Sequence, residues 1–171
     1  MKRFKVLGSR FTVLAGAAIV LAVGTLRGAA PAGPVDFIAH DIDANFRGGY
    51  SVSVADFNKD GKPDVIANSL SVAELAWYEN PTWARHVIAS DTQIVNKAMA
   101  DIDGDGIPEV AFQSSFAMQA ANSAGINWIA HSTGDPTQPW KVEKIDQFPT
   151  SHHLAWADLD GDGKKIGRAH V

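Results

Sequence analysis

The chain has 171 residues, 15 Lys and Arg against 19 Asp and Glu, a formal charge of −4, and no cysteine. The missing thiols exclude disulfides, a lipid-bearing cysteine, thiolate metal sites and a cysteine nucleophile. The acidic balance argues against nucleic acid, whose phosphates select for Lys and Arg, and clustered carboxylates point instead to a divalent cation.

Residues 1–32 read as a secretory signal peptide. Lys2, Arg3, Lys5 and Arg10 give a basic start, FTVLAGAAIVLAVGTL (11–26) is apolar and uncharged, and Ala30-Pro31-Ala32 fits a small-residue cleavage site before Gly33. The apolar run falls short of the roughly 20 residues a spanning helix needs. Cleavage is therefore expected over anchoring, which leaves no stable membrane span and a secreted or periplasmic mature chain. Cleavage removes five basic residues and no acid, so the charge moves from −4 to −9.

From residue 33 an internal repeat organises the chain. An aromatic residue precedes an isoleucine by five positions at Phe37/Ile42, Trp83/Ile88 and Trp140/Ile145. An acidic loop then opens at Asp56, Asp101 and Asp158, and a tryptophan in an apolar run follows at Trp77 and Trp128. The loops are spaced 45 and 57 residues apart, and the excess lies in two six-residue insertions, in QSSFAMQAANSAG and HSTGDPTQP.

Each unit reads as four short strands. YSVSVADF alternates, with Val52 and Val54 on one face. DVIANS and EVAFQS supply second strands, ELAWYEN and GINWIAH third strands, and WARHVIA and WKVEKI fourth strands. His40, His86 and Glu143 share one fourth-strand position. Short strands divided by Gly, Asn and Asp turns predict an all-β fold, and a four-stranded period near 45 residues predicts propeller blades.

The loops DFNKDGKPD (56–64) and DIDGDGIPE (101–109), each after an alternating strand, with AWYENPTWARHVIA behind the first, resemble the FG-GAP/VCBS repeats of secreted β-propellers. The resemblance covers roughly 35–165. It implies a partial β-propeller over 33–165, about three four-stranded blades of a seven-bladed parent, truncated at the C-terminus.

The loops suit Ca²⁺, which takes six to eight oxygens at about 2.3–2.6 Å. Acids at alternate positions aim side chains inward, and glycine permits the sharp turn. The expected ligands are Asp56, Asn58, Asp60, the Lys62 carbonyl and Asp64 in the first loop. The second offers Asp101, Asp103, Asp105, the Ile107 carbonyl and Glu109, and the third Asp158, Asp160, Asp162 and the Lys164 carbonyl. Phe57, Ile102 and Leu159 are expected to plug the core beneath. An EF-hand is excluded because its twelfth position needs a bidentate Glu, and here Ala67 and Phe112 stand there. The ions are expected as structural staples, not catalysts.

Up-and-down alternation puts the start of each first strand on the end opposite its loop. Tyr50/Ser51, Val95/Asn96 and His152/His153 share that end, so SHHLAW sets two histidines at the mouth of the third unit, as candidate metal ligands or an acid and base. Successive strand residues face opposite ways, so one exposed and one packed histidine is the plainer expectation. His131 sits in an insertion and carries no signal. The tryptophans, on repeat strands, are expected to serve blade packing more than carbohydrate stacking.

FPTSHHLAWADLDGDGKK also resembles the N-terminal propeller of aldos-2-ulose dehydratase-like lyases, which dehydrate keto-sugars such as 1,5-anhydrofructose. That resemblance implies a second, transition metal, His152 or His153 as ligand or proton shuttle, and the loop 113–125 shaping a sugar pocket. Three functions follow as expectations: a calcium-binding scaffold, a metal-dependent sugar lyase, or an adhesion module binding a protein partner.

The third loop breaks off at Lys165, and Ile166 stands where Asp64 and Glu109 stand in the others. IGRAHV shows no blade pattern, and in one reading frame it is encoded by a common sequencing adapter. Residues 166–171 are accordingly read as a non-native tail.

Overall fold

A computed structural model describes Gly33, residues 36–161, Gly163 and the backbone of 166–170. The expected signal, residues 1–32, lies outside the described residues, as do Asp162 and Lys164. The chain divides into two compact units, Met1–Ala39 and His40–Val171. The described part of the first has no regular structure. Everything that follows concerns the second.

The fold is all-β. Strands β1 (Gly49–Ala55), β2 (Asp64–Ser69), β3 (Leu75–Glu79) and β4 (Ala84–Ala89) form one antiparallel sheet in that order, and β5 (Asn96–Ala100), β6 (Glu109–Ser114), β7 (Ile126–His131) and β8 (Lys141–Gln147) form a second. β9 (His153–Ala157) pairs with β10 (Ile166–His170). These are propeller-like blades, two complete and one represented by two strands. Among the described residues no helix is long and apolar enough to cross a membrane.

The register repeats with the sequence. Ala55 lies opposite Asp64, Ala100 opposite Glu109, and Ala157 opposite Ile166. The backbone of Ile166–His170 thus takes the place of β2 and β6, with Ile166 at the position that carries an acid elsewhere.

Period-two alternation decides how the blades stack. In β2, Ile66 and Asn68 are fully buried on the side of the second blade, whereas Val65 and Ala67 on the other side are half-buried. All six residues of β6 are buried, because the first blade covers one face and β9 packs on the other. One cluster joins Phe57, Ile66, Trp77 and Ile88 of the first blade to Ile94, Val110, Phe112 and Trp140 of the second. Phe57 sits between Trp77 and Trp140, with ring centroids 5.3 and 6.0 Å away. The second insertion helps close this seam: the Pro136 carbonyl accepts from the indoles of both Trp77 (3.3 Å) and Trp140 (2.9 Å).

Two expectations are corrected. Phe37–Ile42, including His40, carries no strand. Phe57 is a core plug, but Ile102 and Leu159 are exposed. Among the described residues the third unit offers no counterpart of Trp140 to cover Ile102. Val52 and Val54 do share a face, but it is uncovered and both are more than half exposed.

Candidate functional site

Each inner strand joins two chemically different ends. At one end lie the acidic loops. Asp56 accepts from the backbone N–H of Asp60 (3.1 Å) and Gly61 (2.9 Å). Asp101 does so from Gly104 (2.8 Å) and Gly106 (3.0 Å), and Asp158 from Gly161 (2.7 Å) and Gly163 (2.9 Å). Gly61, Gly104 and Gly161 have φ near +80°, the left-handed region open to glycine. Asn58 and Asp103 cap the N–H two residues on, as do Asp60 and Asp105.

The ninth-position acid closes the loop from below. Buried Asp64 accepts from the N–H of Phe57 and Asn80, both at 2.9 Å, and buried Glu109 from Ile102 N–H at 2.8 Å. Burial pushes the Glu109 carboxyl up, against the pull of that bond.

The second loop fits a divalent cation best. Asp101, Asp103 and Glu109 each offer an oxygen within 4.8 Å of the others. Two ligands of one Ca²⁺ at about 2.3–2.6 Å lie at most about 5 Å apart, so the three can share an ion. Asp105 lies outside that trio. In the first loop Lys62 Nζ pairs with Asp60 at 3.0 Å and holds its carboxyl below the usual range. There, a cation would have to displace the lysine. The carbonyls of Lys62 and Ile107 remain the backbone candidates. His131 is the last residue of β7 and not part of an insertion, and its Nδ1 stands 3.8 Å from Glu109 Oε1.

At the other end, residues from three blades meet. The Tyr50 hydroxyl and His152 Nε2 are 2.9 Å apart across 102 residues of chain. Phe116, from the long β6–β7 loop, stands edge-on to the His152 ring at 5.2 Å between centroids. The neighbouring histidine goes elsewhere, as strand alternation requires: His153 Nδ1 faces Asn96 Nδ2 at 3.5 Å. Asn96 Oδ1 accepts from Leu154 N–H at 3.3 Å, which fixes the amide's orientation. Both histidines are exposed; Val95 is buried and takes no part.

Beneath this mouth lies a residue that no sequence motif marks. Lys97 takes the strand position of Val52 and Leu154 and is only 7% exposed. Its ammonium donates to the Ser51 carbonyl (3.1 Å), the Ser51 hydroxyl (2.9 Å) and Asn68 Oδ1 (2.7 Å), all uncharged. Burial pushes its pKa down to about 8. The corresponding amide one blade on is Gln113, and Leu154 holds the strand position that Lys97 holds in the second blade. It is fully buried, and among the described residues neither the side-chain oxygen nor the nitrogen of Gln113 has a partner.

A cleft of about 450 Å³ runs along the uncovered face of the first blade, from His40 and Phe46 past Tyr50 to Val52, Val65 and Ala67. Its apolar wall is blade-packing surface, since the equivalent Val110 and Phe112 are buried. The convergent polar groups lie at the mouth.

Residues 56–112 match the FG-GAP-like repeat family. The matched span runs from the first loop aspartate through the second loop into β6, so it takes in two loops in phase and strands β2 to β5 between them. No curated protein matches the chain. The FG-GAP-like repeat and the two four-stranded sheets together describe a β-propeller-type repeat protein.

Proposed function

We propose that this protein is a secreted calcium-binding scaffold, its acidic loops stapled by Ca²⁺ at one end of the blades and its ligand held at the mouth opposite. The observation that carries the reading is the recurrence of one loop lattice. The first aspartate of all three loops accepts two glycine or loop N–H groups, and the second loop adds three carboxylate oxygens within 4.8 Å of one another. A staple of this kind gathers carboxylates that would otherwise repel one another across the loop. Asp101, Asp103 and Glu109 would hold the ion through side chains and Ile107 through its carbonyl. The basic, apolar start of the chain supports export.

Thermal unfolding of the full chain with and without Ca²⁺ tests the reading. At a Ca²⁺ concentration of 100 times Kd, one site stabilises by about 2.7 kcal/mol, so Tm should rise by several degrees and fall back on adding a chelator. An unchanged Tm at millimolar Ca²⁺ would refute it.

The lyase reading stands second, favoured by the 2.9 Å contact between Tyr50 and His152. An exposed phenol and imidazole in hydrogen-bond contact are chemically an acid and a base.

A further inference from the structure

Each blade has one face turned toward the blade before it and one toward the blade after, and the first blade and the third unit each leave one of these uncovered. We propose that copies of this chain assemble head-to-tail, the third unit of one copy packing on the first blade of the next.

The socket is the first blade's uncovered face. Alternate residues of a strand point to opposite faces. Toward the blade before it, the second blade turns Lys97 and Met99 of β5 and Val110 and Phe112 of β6. Lys97, Val110 and Phe112 are buried there, and Met99 packs against the core cluster. The third unit turns Leu154 and Trp156 the same way: Leu154 is buried, and the Trp156 indole donates to the Ala98 carbonyl at 3.1 Å. The first blade presents the matching positions, Val52, Val54, Val65 and Ala67, to solvent. Both β1 valines are more than half exposed, and the cleft of about 450 Å³ opens over Val52, Val65 and Ala67. A contiguous apolar face of this kind marks an association surface.

The plug is on the third unit. In the seam between the first two blades, β1 offers small residues, Ser53 and Ala55, and the loop then supplies Phe57, which joins Val110 and Trp140 in the core cluster. The third unit repeats these three positions as Ala155, Ala157 and Leu159. Leu159 is more than half exposed. One chain therefore carries both halves of a seam it already makes internally, and carries them on different surfaces. Surfaces so placed join copies head-to-tail. Leu159 of one copy then meets Val65 of the next as Phe57 meets Val110, and both apolar faces leave water together. The net charge of −4 opposes the approach of two copies, so added salt should strengthen the association.

Sedimentation of the full chain as exported, over a range of concentrations, tests the assembly. The parent should show a mass of two chains or more, rising with concentration and with salt. Val54→Asp and Leu159→Asp place a carboxylate on a surface that is exposed in the single chain, so each should fold with unchanged circular dichroism. Each alone should be monomeric, its dissociation constant raised by roughly 100-fold or more by the unpaired charge in the seam. Mixed in equal amounts, the two should form a species of two chains. The intact third unit of the Val54→Asp copy fits the intact first blade of the Leu159→Asp copy. A parent that stays monomeric at high concentration overturns the proposal, as does a different chain found on the Val52–Val54 face. Variants that associate as the parent does, or a mixture that stays monomeric, also overturn it.

Discussion

Lys97 makes the chain's stability depend on pH in a direction opposite to ordinary alkaline denaturation. Its amine titrates at about 8 in the fold against 10.5 when exposed. Between those values the unfolded chain binds a proton that the folded chain does not, so stability rises with pH. Each pH unit contributes up to about 1.4 kcal/mol. Above pH 10 a second group reverses the trend. The Tyr78 hydroxyl, pushed up to about 12 by burial and by its bond to Asp43, stays protonated in the fold while the unfolded tyrosine ionises. The window is thus pH 8 to 10, and the gain across it is at most roughly 3 kcal/mol. The three hydrogen bonds to the ammonium favour its charged form and reduce that figure. Urea unfolding followed by tryptophan fluorescence at pH 7, 8, 9 and 10 measures it, with Lys97→Met as the reference that lacks the group. A rise in the parent relative to Lys97→Met confirms the reasoning. Parallel pH profiles refute it and mean that the amine stays charged in the fold.

Other residues give sharper local tests. Gln113→Leu removes a buried amide without partners and should stabilise by about 1–3 kcal/mol; destabilisation in urea would reveal a partner for the amide. Lys59 sits at φ +61°, where the other loops carry Gly104 and Gly161, and its exposed Nζ reaches the Asp105 carbonyl at 3.1 Å. Lys59→Gly should therefore be neutral or stabilising by up to about 1 kcal/mol, and a loss beyond 1 kcal/mol would give that cross-loop bond the larger weight. Gly125 has φ +57°, and an added Cβ would run into the Phe148 carbonyl oxygen. Gly125→Ala should cost about 3 kcal/mol or more, seen as a lower Tm, and an unchanged Tm would contradict the close approach at that turn.

The sequence carries the blades well because strand formation here is local. Alternation, turn glycines and the in-phase loops mark β2, β3, β4, β6, β7 and β8 almost to the residue. What it hides depends on partners. Phe37–Ile42 carries the fourth-strand anchors but forms no strand, since a strand needs a ladder partner that a local pattern does not encode. Ile102 and Leu159 match Phe57 in pattern, yet only Phe57 has two tryptophans over it.

The mouth was legible in part. Alternation predicts that His152 and His153 diverge, and they do, toward Tyr50 and Asn96. The meeting of Tyr50 with His152 follows from how blades curve back toward one another, which no local pattern encodes. Lys97 was legible only in hindsight. The series Val52, Lys97, Leu154 sets a cation at an apolar position, and the compensation comes from Ser51 and Asn68, 46 and 29 residues away.

Calorimetric titration of the full chain with Ca²⁺ tests the central claim most directly. The account predicts saturable binding at up to millimolar Ca²⁺, the range of extracellular sites, with stoichiometry lower by about one ion in Asp101→Ala. No saturable heat, or a stoichiometry indifferent to Asp101, would contradict it.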